Sequence, residues 1–212
     1  MNAQPSAEVA SEPTTKTDQT REKLLEAGIY LFSQQGYDAT STRQIETRAQ
    51  VQRNLMTYHF GSKEEFWKAC VGRLFHQMEA QLGPVLSQSK DIEPGERIRF
   101  LIRRYVRAAA AVPEITRIMF DEGRCNGWRL EWLVNSYSRD FFHTVENLFD
   151  DGQKHHAIPD IPLTNFYYLL VGSTSLFSMT AECQLITGQN TLSDDMVDAH
   201  ADIMAQLLTT KK

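Results

Sequence analysis

The chain has 212 residues, 22 Lys plus Arg against 27 Asp plus Glu, and a formal net charge of −5. That length allows one or two domains with a core that needs neither disulfides nor a metal. The acidic balance excludes a uniformly basic nucleic-acid coat but leaves room for a local basic patch. With 42% hydrophobic and 23% charged residues, wholesale disorder and low-complexity repeats are excluded as well.

Residues 1–17 (MNAQPSAEVASEPTTKT) are rich in Ala, Ser, Thr, Pro and Glu and read as a flexible tail, with neither the basic nor the apolar segment of a signal peptide. From there on the pattern is helical. A first helix is expected over 18–35, with Leu24, Ala27, Gly28 and Leu31 on one face and Gly36 closing it. A second follows over 41–49, opened by Ser41-x-x-Gln44 at capping-box spacing, and a third over 52–60. Ser62-x-x-Glu65 restarts the chain into a fourth helix, which carries Phe66, Trp67, Cys70, Val71, Leu74, Phe75 and Met78 and is interrupted or ended at Gly83-Pro84. Further helices are expected over 94–111, 113–122, 128–151, 163–186 and 193–208. The sum is about nine helices in two groups and no convincing strand. The uncharged run 161–181 approaches a membrane span in length, but its Thr, Asn and Ser content favours a buried helix.

The informative stretch is 39–63, ATSTRQIETRAQVQRNLMTYHFGSK. Two short helices joined by a tight turn have helix-turn-helix form. Ile45, Ala49, Val51 and Met56 are the apolar positions that lock them against the first helix, while Gln52, Arg53, Asn54, Thr57, Tyr58 and His59 face outward. Arg, Asn and Gln carry the donor and acceptor forks that read base edges, and Thr, Tyr and His suit phosphate oxygens. Residues 47–63 contain no carboxylate but include Arg48, Arg53 and Lys63. A phosphate-binding face needs that bias, because each neutralised phosphate releases counterions.

Residues 18–66 resemble the DNA-binding domain of the TetR family of transcriptional regulators. The resemblance is carried by Gly36-Tyr37 at the end of the first helix, by Thr40-Ser41-Thr42-Arg43-Gln44-Ile45, and by Met56-Thr57-Tyr58-His59-Phe60 with Ser62-Lys63-Glu64. It implies an all-α chain: an N-terminal three-helix helix-turn-helix domain, then a C-terminal ligand-binding and dimerisation bundle over 67–212. It also implies phosphate and base contacts at Thr42 and Arg43, base reading at Arg53 and Asn54 at the start of the recognition helix, backbone contacts at Tyr58 and His59, and a phosphate contact at Lys63. Three positions depart from the family pattern. Gln50 stands where a turn Gly is usual, so a non-glycine is expected at positive φ. Glu46 replaces a small Ala, and its carboxylate is expected to face solvent. Thr57 replaces a Tyr that often contacts phosphate.

In the C-terminal body, Met119, Phe120, Trp128, Trp132, Tyr137, Phe141, Phe166, Tyr167 and Phe177 are candidates for an apolar effector pocket, although their helical spacing equally suits a core. Arg103, Arg104 and Arg107 share one helix, either as a solvated basic face or with one Arg turned inward on an anion. His155-His156 and the His143/Glu146 pair lack a third ligand at metal spacing. The last two helices, with Leu169, Leu176, Phe177, Met196, Val197, Ile203, Met204, Leu207 and Leu208, read as a homodimer interface. The expected partners are therefore a double-stranded DNA operator, a second copy of the chain and a small-molecule effector of unknown identity, with no cofactor, no metal and no membrane. Cys70, Cys125 and Cys183 are odd in number and widely spaced, which suits a reducing cytoplasm. A repressor is expected, with an activator of the same fold or a helical protein adaptor as alternatives. No Gly-rich phosphate loop, nucleophile elbow or HExxH points to an enzyme.

Overall fold

Thr15 is the first of the residues that the computed structural model describes, 15–82 and 92–210. Its hydroxyl accepts the Asp18 amide at 3.1 Å while the Asp18 carboxylate takes the Thr15 amide and hydroxyl. This reciprocal box starts α1 (Lys16–Ala39) two residues ahead of the expected position. Gly36, at φ 78°, kinks the helix where an end was expected, and helical turns resume to Ala39. Both halves of the Ser41–Gln44 box form and open α2 (Thr42–Ala49). Gln50 then stops α2 in the left-handed region, φ 54° and ψ 44°, as the missing Gly required. α3 (Leu55–Phe60) and α4 (Lys63–Leu82) complete the N-terminal half. The Ser62 hydroxyl caps the Glu65 amide at 3.1 Å, but the Glu65 carboxylate goes to Lys68 rather than back to the cap. Of the tail expected over 1–17, residues 1–14 lie outside the described residues, as does the stop at Gly83 and Pro84, whereas Lys16 and Thr17 are already helical.

The body consists of α5 (Pro94–Ala111), α6 (Pro113–Glu122), α7 (Trp128–Leu133), a π-helical turn (Val134–Ser138), α8 (Arg139–Lys154), α9 (Leu163–Ser173), α10 (Ser175–Ser178), α11 (Thr180–Thr187) and α12 (Asp194–Leu207). Proline at the first helical position opens both α5 and α6, where its missing N–H costs nothing.

The expected single helix over 163–186 is instead three. The Ser173 and Thr174 hydroxyls donate to the Leu170 and Val171 carbonyls at 2.7 Å, and Ser178 does the same to Ser175 at 2.8 Å. Such back-bonding competes with the helical ladder and bends it. α9 and α10 together meet α11 at 72°, and among the described residues no single helix is long and apolar enough to cross a membrane.

Two apolar cores hold the molecule. One joins α5, α8, α9, α10 and α12 around Ile102, Val106, Phe177 and Ala205, with α12 lying along α5. The other is centred on Leu24, Phe32, Ile45, Met56, Phe66 and Trp67, and it continues through Cys70, Val71 and Leu74 of α4 to Val112, Ile115, Ile118 and Leu133. The N-terminal helices therefore share a core with α6 and α7. Gly28 is what allows α1 and α4 to approach, since a Cβ there would lie 2.5 Å from the buried Phe66 ring. Burial pushes the Cys70 thiol well above its ordinary pKa, so this cysteine is a packing residue.

Candidate nucleic-acid interface and body cavity

The turn between α2 and α3 is built from two left-handed residues, Gln50 and Asn54 at φ 68°. The third helix therefore starts at Leu55, and Gln52, Arg53 and Asn54 stand in the turn ahead of it instead of inside its first coil. The Asn54 side chain makes no capping bond. The cap comes from ten residues upstream: Glu46 Oε1 accepts the buried Met56 amide at 3.1 Å. Glu46 is only 6% exposed. The expectation that its carboxylate faces solvent is thus overturned, because a bare helix N-terminus offers unpaired N–H groups and a positive dipole end to an anion. The same placement removes the nearest acid from the outer face.

That outer face carries Arg43, Gln52, Arg53, Asn54, Thr57 and Tyr58, all exposed, with Tyr58 at 78%. Thr42, His59 and Lys63 are partly covered. The Arg21 guanidinium donates to the His59 carbonyl at 3.1 Å and lies 4.4 Å from the Phe60 ring centre, tying the start of α1 to the end of α3. Lys63 Nζ lies 4.1 Å from the Tyr37 ring centre, and burial lowers its pKa against the opposing pull of Asp38. Arg21 was not singled out from sequence, and Glu46 was, but facing the wrong way. Each acts across a turn or between helices, where periodicity carries no signal.

Tyr37 is also where the N-terminal helices meet the body. Its ring packs edge-on against Trp67 and Trp128. Arg129 of α7 lies 4.6 Å from the same ring, with Nε bonded to both Glu122 carboxylate oxygens at 2.7 and 2.8 Å and Nη2 to Asp38 at 3.2 Å. Burial works against the Arg129 charge, but Glu122 and Asp38 outweigh it and its pKa is raised. From Trp67 the rings continue through Trp132 to Tyr137, which stacks on Phe75 at 3.8 Å.

Phe75 and Tyr137 form part of the wall of a partly open cavity of about 880 Å³ bordered by α4, α5, α6, α7, the π-helical turn, α8 and α9. Of the candidate pocket residues, Met119, Phe120, Tyr137, Phe141, Phe166 and Tyr167 line it. Trp128, Trp132 and Phe177 do not. The two tryptophans belong to the Tyr37 junction, and Phe177 is fully buried edge-on to His200. The three candidate arginines on α5 part company: Arg103 and Arg107 pair with Asp202 and Asp198 of α12, while Arg104 lines the cavity. His143 pairs with Glu146, His155 meets the Asp151 carbonyl, and among the described residues no three metal-ligating groups converge.

Residues 24–70 match the family described as bacterial regulatory proteins, tetR family. Over those residues the chain is similar to the tetR family. Over 167 residues it is 26% identical to the HTH-type transcriptional repressor NicS of Pseudomonas putida, covering 76% of each chain. It is 30% identical over 56 residues to the biofilm operon icaADBC HTH-type negative transcriptional regulator IcaR of Staphylococcus epidermidis, covering 26% of this chain and 30% of that one. The fold is shared with HlyIIR, a hemolysin II transcriptional regulator, at TM-score 0.66 and 20% identity over 92% of this chain and 100% of that one. It is also shared with a regulatory protein of the tetR family from Rhodococcus RHA1, at TM-score 0.68 and 17% identity over 94% of this chain and 100% of that one. The matched family and the relatives are DNA-binding transcriptional regulators, and on that similarity this chain is a transcriptional regulator rather than an enzyme.

Replacing Glu46 by Ala leaves the Met56 amide buried without an acceptor. Urea denaturation of Glu46→Ala is expected to show a loss of about 1–3 kcal/mol, with a smaller loss for Glu46→Gln, which keeps an acceptor. Equal stability of Glu46→Ala and wild type rules out the cap.

Proposed function

We propose that this chain is a repressor that binds a palindromic operator as a homodimer in the cytoplasm and is released when a small molecule fills the body cavity. Residues 18–66 are the DNA-reading head and 67–212 the sensing and dimerising body. The observation that carries this reading is the acid-free outer face of α2 and α3, kept so by the inward Glu46. On it Gln52, Arg53 and Asn54 are the base readers, projecting from the turn that leads into the recognition helix. Thr42, Arg43, Thr57, Tyr58, His59 and Lys63 hold the phosphates on either side. Thr57, smaller than a tyrosine, gives one hydrogen bond there.

A single head makes few contacts, and two heads about one DNA turn apart, roughly 34–36 Å, read a palindrome. The surface that suits pairing lies on the last helices. Leu185 and Ile186 of α11 are 88% and 75% exposed, and Tyr168 and Leu169 of α9 and Ile203 and Leu207 of α12 are exposed with them. Phe177, Met204 and Leu208, also expected at the interface, are buried inside the subunit. The opposite side of α12, with Ala201, Met204 and Ala205, is buried within the chain's own body core. Outward substitutions on α12 therefore test pairing without touching that core.

Release follows from the way α4 runs from the head to the cavity. Its first residue, Lys63, sits on Tyr37, and Phe75, Met78 and Leu82 near its far end line the cavity. A ligand that changes the packing at Phe75 and Tyr137 acts on both the α4 and α7 ends of the Tyr37 junction.

Footprinting on DNA flanking the gene is expected to show a palindromic protected site. Arg53→Ala is expected to weaken protection by about 1–3 kcal/mol and relax sequence preference. Unchanged protection removes Arg53 from base reading. Ile203→Asp with Leu207→Asp is expected to convert a dimer to a monomer by light scattering and to lose the operator. A double variant that stays dimeric places the interface elsewhere.

A further inference from the structure

The geometry points to a chemical class for the molecule in the body cavity: a mostly apolar ligand carrying one carboxylate, anchored by Arg104. The inference rests on the cavity being the effector site.

Three arginines lie close together on α5, and two of them are spent. Arg103 Nε meets Asp202 Oδ1 at 2.5 Å and Arg107 Nε meets Asp198 Oδ1 at 2.7 Å. Arg104 lines the cavity instead. Its Nη2 donates to the Gln81 main-chain carbonyl, and its Nε is buried with no hydrogen-bond partner among the described residues. No carboxylate pairs with it among those residues. A dry, charged N–H without an acceptor is unfavourable, and guanidinium fits a carboxylate through two parallel hydrogen bonds.

The other charges on the wall do not offset this. Arg124 is paired with Asp121 at 2.8 Å, while Glu79 and Asp140 are solvated, exposed side chains. Burial raises the pKa of Tyr105, Tyr137 and Tyr167, so the phenols facing the cavity are neutral and do not repel an anion. Five Ser and Thr residues, Thr116, Ser136, Ser138, Thr144 and Thr174, also line the wall, but most of it is apolar and includes the stacked pairs Phe75–Tyr137 and Tyr105–Phe141. Such a wall cannot solvate a bare inorganic anion. A volume of about 880 Å³ suits an organic molecule of drug-like size.

The test compares acids with their isosteric alcohols by calorimetry at neutral pH: decanoate against decan-1-ol, and 2-naphthylacetate against 2-(2-naphthyl)ethanol. In at least one pair the acid is expected to bind about tenfold or more tightly. Arg104→Gln is expected to abolish that preference while leaving the alcohol's affinity unchanged, and Arg103→Gln to leave both unchanged. Thermal melts of each variant check folding, and Arg104→Lys, which keeps the charge without the fork, is expected to fall between. The proposal is overturned if neither acid outbinds its alcohol, including the case of no binding, or if the preference survives in Arg104→Gln. Because calorimetry is done without DNA, failure here is distinct from failure of the operator reading, which shows as an absent footprint.

Discussion

The contact between Tyr37 and the body is the constraint on which the remaining parts depend. Tyr37 lies just past the Gly36 kink, so the kink sets the direction in which its ring leaves α1. Around it are Trp67 from α4, Trp128 and Arg129 from α7, and the Lys63 ammonium. Arg129 adds two partners of opposite kind. Glu122 is nearly buried beside it, whereas Asp38 is 83% exposed on the side chain. A pair like the first is fixed by the cost of leaving a charge unpaired, and one like the second contributes little in water. The Arg129 ion pairs are therefore firm within the body and contribute little towards the head, where the packed rings and the shared core hold the two together.

Electrostatics in the head follow from a single buried carboxylate. A chain of net charge −5 presents an acid-free reading face because its sole acid on α2, Glu46, is consumed inside as the cap of α3. The left-handed turn residues Gln50 and Asn54 bring Met56 within reach of it. Cap, turn and charge pattern are one local solution, since an exposed carboxylate there would oppose phosphate and leave the Met56 amide unpaired.

Much of the head was legible in the sequence because its signals are local. The Ser41–Gln44 box, the Gly36 break and the apolar positions Ile45, Ala49 and Met56 each act over a few residues. Glu46 was not legible, since its partner is ten residues away across a turn whose geometry composition does not reveal. The start of α3 moved from 52 to 55 for the same reason. In the body, helical spacing identified inward aromatics but not which void they face. Thus Trp132 and Phe177 went to cores while Tyr137 and Phe141 went to the cavity. The 163–186 segment has a helix's composition, and only the hydroxyl bonds of Ser173, Thr174 and Ser178 reveal its breaks.

In the proposed repressor two heads sit one DNA turn apart and the cavity controls their spacing. Pulsed electron-spin distance measurement tests it most directly, with a label on Thr47→Cys, an exposed α2 position outside the assigned DNA contacts, in each protomer and with Cys125→Ser and Cys183→Ser removing the accessible thiols. The expected result is a narrow distribution at about one turn, roughly 34–36 Å, on operator DNA, displaced when a cavity ligand saturates the protein. An absent interspin distance, or one that stays the same with and without ligand, contradicts it.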